Sequence, residues 1–176
     1  MIAIEIVFLV IVALFGVIGL MRGWRKEIIA TAGITLAIFA DAKFGKAIMG
    51  FLGEKATNLH RFILKSSFFI IIAFFSYQGP SLARIVKIGR SWERKHIEIA
   101  EAFLSTVVGL INGYLIAGGI WYYLYKQDYP LPPNIFRTPL SETAEHIIRY
   151  LPQSWMEPFL PLLIVMLFLF VIIAII

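Results

Sequence analysis

Two carboxylates, Glu27 and Asp41, bracket a run in which residues 28–40 carry no charged side chain. If that run is helical, their 14-residue separation is roughly 21 Å along the axis. An ionisable group at such depth in an apolar helix is costly and often functional. Asp41 is therefore a candidate carrier of protons or cations. The competing reading puts it near the far interface, paired with Lys43, Lys46 or a snorkelling lysine. Arg22, Arg25, Lys26 and Glu27 form a compact charged group. It either positions a partner or an anionic lipid, or anchors the chain and closes a local ion pair.

Other reactive residue types are scattered. His60, His96 and His146 have no metal-ligand spacing to each other or to a carboxylate. Glu98 and Glu101 share a helix face beside five basic residues, which favours salt bridges over acid/base work. There is no cysteine, phosphate loop, nucleophile elbow or HExxH. No catalytic residue, metal or cofactor is expected.

The elements that hold these residues are membrane spans. Apolar residues make up 60% of the 176 and charged ones only 15%, with a mean hydropathy of +0.84. Soluble domains carry about 25% charged residues. An all-α polytopic protein is expected, with about five transmembrane helices and two short amphipathic ones. The spans fall near 1–21, 24–46, 62–77, 102–125 and 159–176, the second with an amphipathic extension through Phe51 and Leu52. Gln78-Gly79-Pro80 is expected to kink or end the third. Residues 81–101 read as a basic amphipathic helix lying on anionic lipid. Trp121, Tyr122, Tyr123 and Tyr125 read as an interfacial aromatic cluster. A short helix follows, with Thr138 as N-cap, Pro139 at N1 and Pro152 as its stop. The net charge of +5 lies in loops flanking apolar runs, so anionic headgroups rather than nucleic acid are its expected partner.

Lysines and arginines divide as three, five, five and three among the successive loops, a tie of eight against eight. The short, crowded first and third loops weigh most, which favours an N-terminus outside and a C-terminus inside. Small residues recur four apart in three series: Gly19 and Gly23; Gly33, Ala37, Asp41 and Gly45; Ser105, Gly109, Gly113 and Ala117. Each makes a smooth helix face for close packing, inside the protein or against a second copy or membrane partner.

The joint at 19–27 resembles a motif of the colicin V production (CvpA) family. The family pattern Gly-x-x-Arg-Gly-aromatic-x-x-Glu is met by Gly19, Arg22, Gly23, Trp24 and Glu27, followed by Gly33, Ala37 and Ala40. Gly109-Leu110-Ile111-Asn112-Gly113 is similar to the family's later glycine-paired span, and 138–152 to its terminal short helix. The likeness covers residues 1–152, taken as a CvpA-like transmembrane domain, and 153–176 is taken as an added C-terminal transmembrane helix. The resemblance implies a bacterial inner-membrane protein connected with colicin V production or export and with envelope homeostasis, without enzymatic chemistry or cofactor. The leading expectation is a scaffold or accessory factor. The alternatives are a small oligomeric channel or transporter, or an accessory subunit of a larger complex docking through its aromatic-rich third span. Candidate functional and packing residues are Arg22, Gly23, Glu27, Asp41, Gly109 and Gly113.

Overall fold

A computed structural model describes residues 2–50, 53, 56–86, 99–132, 135–136 and 140–175, with side chains left out at 79–86, 171 and 173–175. The described residues form α1 (Ile4–Arg22), α2 (Trp24–Gly50), α3 (Asn58–Val86), α4 (Ile99–Lys126), α5 (Glu142–Ile148), α6 (Pro152–Met156) and α7 (Leu160–Ile175), with a 3-10 turn at Glu157–Phe159 before α7. Five helical stretches are long and apolar enough to cross a membrane: Ile4–Arg22, Trp24–Gly50, Asn58–Gln78, Ile99–Lys126 and Glu142–Phe170. The chain is a multi-pass helical membrane protein, as its composition requires. Leu9, Val10, Leu14 and Val17 on α1, with Leu162, Val165 and Met166 on α7, are exposed and form the apolar surface that lipid covers.

Helix α2 lies at the centre. Its Ala30, Ile34, Ala37 and Ile38 are fully or almost fully buried, and it packs against α3, α4 and α7. Helix α1 packs antiparallel on α4, with Gly16 against Leu110 and Gly19 against Ser105 and Gly109. A Cβ added at Gly19 would stand 2.7 Å from Gly109 Cα, and one at Gly113 would stand 2.9 Å from Val12 Cα. Two backbones are in contact there, so neither neighbour can yield as a flexible side chain would. This consumes the Ser105–Gly109–Gly113 face inside the molecule.

Gly23 departs from the small-residue reading. A Cβ there would meet nothing within 4 Å, but its φ is +84°. Its N–H donates to the Gly19 carbonyl at 2.9 Å, ending α1, and α2 starts at the next residue. The glycine is needed for its backbone conformation, not for a groove.

Four other expectations are corrected. Helix α3 does not end at Gly79-Pro80 but runs on to Val86. Arg22 Nη2 donates at 2.8 Å to the Tyr77 carbonyl, which ties this part of α3 to the end of α1. The α5 N-cap is Ser141, whose Oγ accepts from Ala144 N at 3.0 Å and donates to Glu5 Oε1 at 2.6 Å. Thr138 and Pro139 lie outside the described residues. Pro152 opens α6 at N1 rather than only stopping α5, since its ring seats on Gly118 of α4. In the aromatic cluster, Trp121 and Tyr123 are buried in the core and only Tyr125 is exposed. Residues 81–86 belong to α3 and 99–101 to α4, while 87–98, most of the amphipathic stretch, lie outside the described residues, as do Phe51 and Leu52.

Candidate functional site

The tight turn at Gly23 brings the end of α1 beside the start of α2, so Arg22 and Glu27 face each other. Glu27 is fully buried (0% exposed). Arg22 Nη1 donates to Glu27 Oε1 at 3.0 Å. The Tyr77 hydroxyl from α3 donates to Oε2 at 3.0 Å, and Asn112 Nδ2 from α4 donates to the same oxygen at 2.8 Å. Asn112 Nδ2 also donates to the Glu27 carbonyl at 3.0 Å. The Thr31 hydroxyl lies 2.7 Å from Asn112 Oδ1 and 2.9 Å from that same carbonyl, serving one or the other. The Arg22 guanidinium sits over the Tyr77 ring, 4.3 Å from its centroid.

One carboxylate thus gathers donors from α1, α3 and α4. Charges cancel within the cluster, and both carboxylate oxygens and the whole Asn112 amide are satisfied. Close by, Trp24 N donates to Ser105 Oγ at 2.9 Å, and Ser105 Oγ donates to the Glu101 carbonyl at 2.6 Å. An open N–H at the start of α2 is thereby capped by a side chain of α4. The arrangement is a latch: it ties α1, α2, α3 and α4 together at one end of the bundle.

The second carboxylate is placed differently. Asp41 is 8% exposed and faces α3, where Lys65 Nζ lies 3.3 Å from Oδ1 and 3.4 Å from Oδ2. Its cation comes from the next helix, not from Lys43 or Lys46 on its own. These distances are long for a charged pair. Gly45, one turn on, leaves room beside both groups. Here the bundle opens into a cavity of about 180 Å³ lined by Ile38, Asp41, Lys46, Lys65, Gln153 and Glu157, among others. Gln153 is 7% exposed, and neither its amide nitrogen and oxygen nor the buried Tyr123 hydroxyl, which lies close to both Gln153 and Asp41, makes a well-formed hydrogen bond.

The candidate residues therefore separate. Arg22, Gly23 and Glu27 meet at the latch, while Gly109 and Gly113 form the α1–α4 contact that brings Asn112 to Glu27. Asp41 stands alone at the other end. Tyr77, Thr31 and Asn112 escaped the sequence reading as latch members, although a carboxamide between two glycines in an apolar span must find a partner. Lys65, Gln153 and Glu157 carried no local signal, because only the fold brings them to Asp41. His60 lies 2.7 Å from the Thr57 hydroxyl and His146 stacks on Tyr150. No group of metal-ligating side chains forms among the described residues.

The latch and the glycine contact are built from the residues that carried the family resemblance. Neither a curated protein nor a solved structure gives a significant match to the chain. The family described as colicin V production protein matches residues 4–152, from the first turn of α1 to the start of α6, and the chain belongs to that family.

Proposed function

We propose that the protein is a non-enzymatic scaffold or accessory factor of the bacterial inner membrane, acting in colicin V production or export and in envelope homeostasis. Family membership supports the process. The observation that carries the scaffold reading is the closed latch, in which each polar atom of the buried Glu27 and Asn112 side chains is satisfied by the chain itself. Such a network makes a rigid frame. Between latch and crevice, Ile34, Ala37, Ile38, Phe69 and Leu115 form a buried apolar layer. That layer argues against a conducting path through one copy, and the internal use of the glycine faces argues against their lining one between copies. The N-terminus is assigned to the outside on the density of charge in the first and third loops.

Two experiments test this reading. Toxin export is measured in a producing strain lacking the protein and complemented with wild type or Glu27→Ala. Restoration by wild type alone is expected, and no dependence on the protein overturns the reading. In parallel, wild type and Asp41→Asn are placed in liposomes and ion flux is recorded. No flux above empty liposomes is expected from either. A wild-type flux abolished by Asp41→Asn would establish the channel instead. For topology, a Trp24→Cys variant offers a single thiol in a chain with no other cysteine. Labelling by an impermeant reagent in intact cells overturns the orientation.

A further inference from the structure

We propose that the crevice at Asp41 binds a phosphoethanolamine group, a primary ammonium joined to a phosphate, presented as a lipid headgroup. Asp41 lies 17 residues beyond Trp24, the first residue of α2, or about 25 Å along the helix. Against an apolar core of about 30 Å, that puts the crevice at headgroup level on the side opposite the latch. Lys65 lies in the second turn of α3 and Glu157 just ahead of α7, so the same level is reached from three helices.

The cavity is a built site. Its volume of about 180 Å³ far exceeds the roughly 10–15 Å³ that one water needs. Burying both polar atoms of Gln153 without partners costs free energy that a ligand offering a donor and an acceptor would recover. An adjoining cavity of about 300 Å³ shares Ala42, Glu157 and Leu160 with the first and continues along the seam between α2 and α7 past Phe39 and Pro161. The two form one furrow whose walls mix charged side chains, Lys43 and Glu157 among them, with the apolar Phe39, Leu160 and Pro161.

The lining selects the headgroup. Lys43, Lys46 and Lys65 line the furrow together with Asp41 and Glu157, so both signs of charge are offered. Lys65 already stands against Asp41, which disfavours a bare metal cation there. Glu157, exposed at the rim, has no hydrogen-bond or ion-pair partner among the described residues, and with the Gln153 amide oxygen it can accept from an ammonium. Lys46 and the Gln153 amide nitrogen can donate to a phosphate. A choline headgroup has no N–H to give Glu157 and Gln153, and a phosphoglycerol headgroup has no cation.

The test offers the purified full chain, in nanodiscs, an equimolar mixture of phosphatidylethanolamine, phosphatidylcholine and phosphatidylglycerol, and reads retained lipid by native mass spectrometry. Wild type is expected to favour ethanolamine over choline by about tenfold, the contribution of one charge-assisted hydrogen bond. Glu157→Gln and Gln153→Leu are each expected to bring that preference close to parity, while Glu142→Gln, at an exposed position of α5, leaves it unchanged. Glu157 is exposed, so its variant tests recognition without threatening the fold. Soluble glycerophosphoethanolamine forms a second arm. Competition by it at similar concentration would overturn the lipid as source, and failure to compete supports it. Equal retention of all three lipids, or full preference in both crevice variants, would overturn the site and leave a hydrated cavity.

Discussion

The two ends of α2 use the same ingredients to opposite effect. Each buries a carboxylate and meets it with a cation from another helix. At Glu27 the cation is joined by a phenol and a carboxamide, and both oxygens are satisfied at 2.8–3.0 Å. At Asp41 a single lysine stands at 3.3 and 3.4 Å, beside a cavity and an amide with no partner. The first is a finished joint and the second an unfinished one. Burial of a charged residue in a membrane helix therefore does not by itself mark function. What distinguishes the two is how far the protein satisfies the group on its own.

The sharpest way to break this contrast is Glu27→Ala. It strands the Arg22 charge and leaves Tyr77 and Asn112 without their acceptor, a loss of about 3–5 kcal/mol. The variant is expected to fail to accumulate, or to melt far below wild type in detergent. Next comes Gly109→Val, which forces a branched side chain against the backbone of α1. Overpacking costs about 1–3 kcal/mol, and more where only backbone can move. Cysteine crosslinking between α1 and α4 measures the expected separation. Asn112→Leu keeps the volume but removes two donors from Glu27, for about 1–3 kcal/mol in the same melting assay. Asp41→Asn is expected to be mildest, about 1–2 kcal/mol, because Lys65 is partly exposed and can turn to water. A larger loss at Asp41 than at Asn112 would reverse the comparison.

Much of the frame was legible from the chain. The spans followed from charge-free stretches near twenty residues, and the joint from two arginines and a lysine between them. The Ser105, Gly109 and Gly113 series predicted a close backbone contact, which α1 and α4 make. Gly23 was misassigned because residue spacing does not reveal φ, and the Arg22-Gly23-Trp24 turn needs a positive one. The run through Pro80 was hidden because a proline inside a helical pattern ordinarily kinks or ends the helix, and nothing local signals that α3 continues to Val86. The crevice was half visible. Asp41 stood out as an acid on a small-residue face, but Lys65, Gln153 and Glu157 reach it only through the packing of α3, α6 and α7.

The central claim is that the Glu27 end is closed and structural while the Asp41 end is open and receptive. Two double-mutant cycles measured by the same unfolding assay, Glu27→Gln with Asn112→Leu and Asp41→Asn with Lys65→Met, test it most directly. The account predicts a coupling of about 2–3 kcal/mol for the first pair and under about 1 kcal/mol for the second. Equal couplings, or a stronger one between Asp41 and Lys65, would contradict it.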